Sequence, residues 1–126
     1  MSKKCVRLPT SGAVSGLEPT DYISPQTVQS GDPQERGLSF YADQTGQLDS
    51  GVWECEVNKH VIENAPYDEF VYLLHGCIDV IDDEGNAETY NAGDSFVMPR
   101  GCNCTWNVKE PVRKLYAVLT ADAYKE

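Results

Sequence analysis

Glu69 is the residue in this sequence best placed to do chemistry. Strand alternation puts it on one face with Val71 and Leu73, a lone charge among apolar side chains. A buried carboxylate is costly unless it is paired, hydrogen-bonded or protonated. Two outcomes follow: Arg100, Lys114 or a tyrosine neutralises Glu69 for structural reasons, or Glu69 anchors a ligand or works as a general acid or base with its pKa raised by burial. Cys104 is the second candidate catalytic residue and shares a face with Trp106 and Val108, while Thr105 and Asn107 point away. A carboxylate beside it raises a thiol pKa, so a nucleophilic Cys104 needs a cation from Lys114 or Arg100; otherwise it is a small pocket wall. Trp53, Tyr72, Trp106 and Tyr116 suit stacking on a planar or cationic ligand, and equally suit a plain core; with Lys114 they make up the expected ligand pocket. The two histidines carry less weight. His75 falls in the turn before Gly76, and His60 with Glu69 and Cys104 makes a poor manganese or iron donor set.

The elements that must position these residues are short strands. From Gly37 onward, β-rich runs alternate with turn residues. The expected strands are Leu38–Ala42, Gly51–Val57, His60–Glu63, Phe70–Leu74, Cys77–Asp82, Ala87–Tyr90, Ser95–Met98, Cys104–Val108 and Arg113–Leu119. Asp83-Glu84-Gly85-Asn86 and Asn91-Ala92-Gly93-Asp94 are hairpin loops with glycine available for positive φ, and Pro99-Arg100-Gly101 turns the chain back. No helix of three turns is expected, so the fold class is all-β. Residues 1–35 carry Pro9, Pro19, Pro25 and Pro33 with many small polar residues and no apolar period. They read as an extended N-terminal arm with a short strand or one helical turn, ahead of a single domain over 36–126.

Composition bounds the function. The 126 residues carry 20 acidic against 10 basic side chains, a formal charge of −10, which repels phosphate backbones and anionic membranes. No nucleic-acid or membrane partner is therefore expected. Five cysteines, an odd number without a CxxC pair, fit a reducing compartment, and neither end carries a signal segment, so a cytoplasmic location is expected.

The run from Gly51 to Leu119 resembles a known family. Gly93, Pro99 and Gly101 keep the punctuation of the second cupin motif, and Glu69 followed by Gly76 keeps the end of the first. The words GVWEC (Gly51–Cys55), DEFVYLLHG (Asp68–Gly76), NAGDSFVMPRG (Asn91–Gly101), CTW (Cys104–Trp106) and EPVRKLY (Glu110–Tyr116) are similar to small single-domain cupins related to the ethanolamine-utilisation protein Q and to (S)-ureidoglycine aminohydrolase. The resemblance implies a double-stranded β-helix, a cupin jelly roll, usually as a homodimer with a pocket inside the barrel. It also implies a metal site whose three histidine positions here hold Ile62 or Glu63, Asn64 or Ala65, and Cys104. The expectation is thus a barrel without metal or other cofactor, placing Glu69, Cys104 and Trp106 around one cavity that takes a small polar, amine-bearing ligand. The alternatives are a metal-independent isomerase, lyase or hydrolase using Glu69, and a non-catalytic accessory subunit. Dimerisation is expected through a sheet edge and the arm, with Leu17, Tyr22, Ile23 and Val28 as apolar anchors.

Overall fold

Two long strands organise the molecule. The structure, a computed structural model, describes residues 3–120. Its strands are β1 (Glu18–Pro19), β2 (Val28–Gly31), β3 (Arg36–Ala42), β4 (Leu48–Cys55), β5 (Asn58–Ile62), β6 (Tyr67–Asp82), β7 (Ala87–Asn91), β8 (Ser95–Met98) and β9 (Cys104–Thr120), with one 3-10 turn at Pro25–Thr27. All pairings are antiparallel. β9 pairs with β6 along one side and with β5 and then β4 along the other; β6 pairs in turn with β8 and β7. The result is the curled all-β jelly roll that the strand spacing leads one to expect. Among the described residues no helix is long and apolar enough to cross a membrane.

Seven strands stand where nine were expected after Gly37, because two pairs fuse. Phe70–Leu74 joins Cys77–Asp82 in β6, and Cys104–Val108 joins Arg113–Leu119 in β9. The cause lies at Gly76, whose φ of 94° lets β6 bend without stopping. A side chain there would run into the Pro111 carbonyl. Pro111 has no N–H to give and sits where the β6–β9 register shifts between Leu73 and Ile78, so the ladder loses little. His75 is exposed, and it lies within the bent strand rather than in the expected turn.

The inward faces follow strict alternation. Glu69, Val71 and Leu73 are buried on β6, as are Cys104, Trp106 and Val108 on β9. They join Trp53, Ile78, Met98 and Val112 in one core, each large apolar side chain contributing roughly 1.5–3 kcal/mol on burial. The arm takes two short strands and one 3-10 turn, and it lies on its own barrel. β1 extends the β3 edge and β2 extends the β5 edge. Residues 121–126 of the expected 36–126 domain lie outside the described residues.

Candidate functional site

The inner face of the curled sheet encloses a cavity of about 390 Å³, lined from β4, β5, β6 and β9. Four of its walls come from cross-strand neighbours: Trp53 on β4 lies opposite Lys114 on β9, and His60 on β5 lies opposite Trp106. Glu69 enters from β6 and Tyr116 from β9. Tyr116 has room because its cross-strand partner is Gly51: a methyl there would approach the Tyr116 hydroxyl to 2.8 Å and the Leu38 carbonyl closer still. The arm completes the rim with Tyr22, Ile23, Ser24 and Thr27.

The deepest polar feature is an ion pair. Lys114 Nζ donates to Glu69 Oε2, and the two side chains are only 8% and 7% exposed. The ammonium also sits 4.6 Å from the Trp53 ring centroid and 4.9 Å from that of Trp106, between two π faces. Of the partners expected for Glu69, Lys114 is the one found. It offsets a desolvation cost that either charge alone would bear in full.

His60 carries more than the sequence suggested. It is buried, lines the cavity, and its ring lies 5.9 Å from Trp106. Asn58 Nδ2 donates to the Glu56 carbonyl at 2.8 Å and points at Cys55 Sγ at 3.6 Å, which turns Asn58 Oδ1 toward His60 Nδ1 at 2.7 Å. That oxygen can only accept, so Nδ1 carries the proton and Nε2 keeps its lone pair. Burial, reinforced by the Lys114 cation, pushes the imidazole down to about 4. At neutral pH His60 is therefore an uncharged acceptor. The alternation Asn58, His60, Ile62 was the available signal.

Two expected pocket residues fall elsewhere. Tyr72 alternates with Val71 and Leu73, so it leaves β6 on the face opposite Glu69 and does not line the cavity. Cys104 is buried behind Met98, with Sγ 3.9 Å from the Met98 sulfur, and does not line the cavity either. Its thiol is pushed up to about 12, by burial first and then by neighbouring Cys102 rather than by Glu69. A protonated, enclosed thiol is a poor nucleophile, and Cys104 sits in the packed core rather than at the cavity surface. Trp53, Trp106, Lys114 and Tyr116 are brought together as expected. Among the described residues the buried Trp106 indole N–H finds no oxygen or nitrogen acceptor.

The remaining charges around the cavity are acidic. Asp49 is half-buried and Glu63 exposed, and both line it, with Lys114 as the sole lysine or arginine among the described lining residues. Asp49 Oδ1 accepts from Ser39 Oγ at 2.5 Å. The same field acts on the phenols. Tyr67 is pushed up to about 12 by burial and Glu69, Tyr116 is raised by burial and Asp49, and Tyr22 is raised by burial and Asp49. The sequence reading missed Glu35, which is buried behind Trp53 and accepts its indole N–H at 3.0 Å.

Comparison with known proteins now decides the family. The profile of the EutQ-like cupin domain matches residues 42–116, more than half of the chain. This chain belongs to the EutQ-like cupin family. A crystal structure of a protein of unknown function from Pseudomonas syringae pv. tomato superposes on this EutQ-like cupin with a TM-score of 0.79 at 27% identity, covering 88% of this chain and 46% of that one. The chain thus spans less than half the length of that relative. A protein from Thermotoga maritima is 34% identical over 54% of this chain and 76% of its own, with a TM-score of 0.51. The Clostridium difficile EutQ protein, at 22% identity over 70% of this chain and 69% of its own, with a TM-score of 0.59, shares the fold. No curated protein matches.

The metal that the cupin resemblance implies does not fit these residues. Ala65 is a buried apolar side chain, Asn64 lies in a turn with φ of 50°, and Cys104 is turned against Met98. Among the described residues no three His, Cys, Asp or Glu side chains converge to hold an ion, and the Glu69 carboxylate is engaged by Lys114.

Proposed function

We propose that this EutQ-like cupin binds a small amine-bearing metabolite in its barrel and does so without a transition metal. One observation carries the reading: among the described residues the single lysine lining the cavity is consumed by Glu69 and two indole faces, and Asp49 in the same cavity has no basic partner among them. An anionic ligand would meet an uncompensated carboxylate, whereas an ammonium gains a charge-assisted hydrogen bond from Asp49 and the π faces of Tyr67 and Tyr116. Neutral His60, with Nε2 as acceptor, takes a second donor of the ligand. The volume suits a molecule at the small end of the usual range for ligand sites.

Both tryptophans of the chain line the cavity, so their emission reports its occupancy. A fluorescence titration with primary and quaternary amines, and with carboxylates of matched size, is the test. Saturable changes are expected with amines alone, and Asp49→Asn is expected to weaken them about tenfold, close to 1.4 kcal/mol. Binding of the carboxylates in preference to the amines would overturn the reading.

A further inference from the structure

The arm segment from Thr20 to Thr27 crosses between two sheet edges, leaving β1 on the β3 edge and entering β2 on the β5 edge. Its own hold on the barrel is slight. Tyr22 is 64% exposed, Ser24, Pro25 and Gln26 are exposed, and Ile23 is its side chain packed against the core. What ties it down is Glu35: the Thr20 amide donates to its carbonyl at 3.2 Å, and its carboxylate takes two further donors from the arm. Glu35, 8% exposed, accepts the Thr20 hydroxyl at 2.6 Å and the Trp53 indole N–H at 3.0 Å on Oε1, and the Ile23 amide at 2.7 Å on Oε2. The peptide and indole N–H groups can only donate, and they fall on different oxygens. An amide side chain would satisfy one of them and confront the other with a donor. A carboxylate satisfies both at once, which explains a buried glutamate with no cation in contact among the described residues.

These bonds join two walls of the same cavity, Trp53 from the barrel and Tyr22–Thr27 from the arm. We propose that Thr20–Thr27 is a hinged wall of the cavity latched by Glu35, a positioning residue that holds Trp53 and the arm together and releases the arm to admit a ligand. The proposal rests on the cavity being the ligand site. Segments with few buried contacts open locally without unfolding the rest, and Glu35 sets how often this one does so. Once a ligand touches both walls it favours the latched state, and by reciprocity the latch favours the ligand.

The test needs no ligand, so it stands apart from the amine titration. Amide hydrogen exchange on the full-length protein reads the opening directly. The Ile23 amide is expected to exchange at least about a hundredfold faster than Val71 and Trp106 amides, as independent local opening requires. Glu35→Gln is expected to speed Ile23 exchange about tenfold while the core amides keep their rates. It also moves the indole N–H resonance of Trp53 upfield and leaves that of Trp106 in place, a signature that general loosening would not produce. Thr20→Val removes one hydroxyl donor and no charge; it is expected to speed Ile23 exchange about threefold and decides the matter if Glu35→Gln fails to fold. Ile23 exchanging with the core in the unaltered protein, or at an unchanged rate in a folded variant, would overturn the latch.

Discussion

Acid should destabilise this protein through His60. The unfolded chain binds a proton on this histidine near 6.5, while burial and the Lys114 cation hold the folded-state value at about 4. Between these values the unfolded state carries more protons, so stability falls as pH falls from about 6.5 to about 4 and flattens below that. The shift corresponds to about 3 kcal/mol in full, with roughly 1.4 kcal/mol lost by pH 5.5 and roughly 2.5 kcal/mol by pH 4.5. For a domain of this size the pH 4.5 loss lowers Tm by about 10 °C. His60→Gln removes the titration, so urea unfolding of both proteins at several pH values from 7.5 to 4.5 isolates the effect as a difference in slope. Asp43, Asp79 and Asp82 have depressed values, so their stabilisation is lost below the His60 window. They contribute equally to both proteins. Parallel stability curves for wild type and His60→Gln would refute a buried, neutral His60.

Two further outcomes are expected. Lys114→Met strands the buried Glu69 charge and should cost about 3–5 kcal/mol, while Glu69→Leu combined with Lys114→Met should recover most of it; chemical denaturation gives both values, and a double variant no better than the single would place the cost in packing. The expected homodimer has a further candidate surface on the outer sheet face, where Phe70 and Val97, cross-strand partners, are 47% and 59% exposed. Light scattering should report a two-chain particle that Phe70→Asp converts to a monomer, and a monomeric parent would remove this prediction.

Alternation was the legible part of the sequence. A period of two is fixed by backbone geometry, so once Glu69 is inward, Val71 and Leu73 follow, and the same rule places Cys104, Trp106 and Val108. It also excludes Tyr72, whose parity sets it on the face opposite Glu69 despite its aromatic ring. Continuity of β6 and β9 was not legible, because whether Gly76 stops a strand or bends it depends on Pro111 lying opposite, 35 positions along the chain. The partners of the buried charges were harder still. Lys114 and Glu69 are 45 residues apart and meet only through the β6–β9 register. Glu35 gave no signal at all, since its donors lie 15, 12 and 18 positions away and none belongs to a pattern. A lone acidic residue between Pro33-Gln34 and Arg36 reads as solvated loop. Its burial shows that the arm cannot be treated as a tail: the barrel supplies Trp53, the arm supplies the Ile23 amide and the Thr20 hydroxyl, and neither alone would satisfy the carboxylate that joins them.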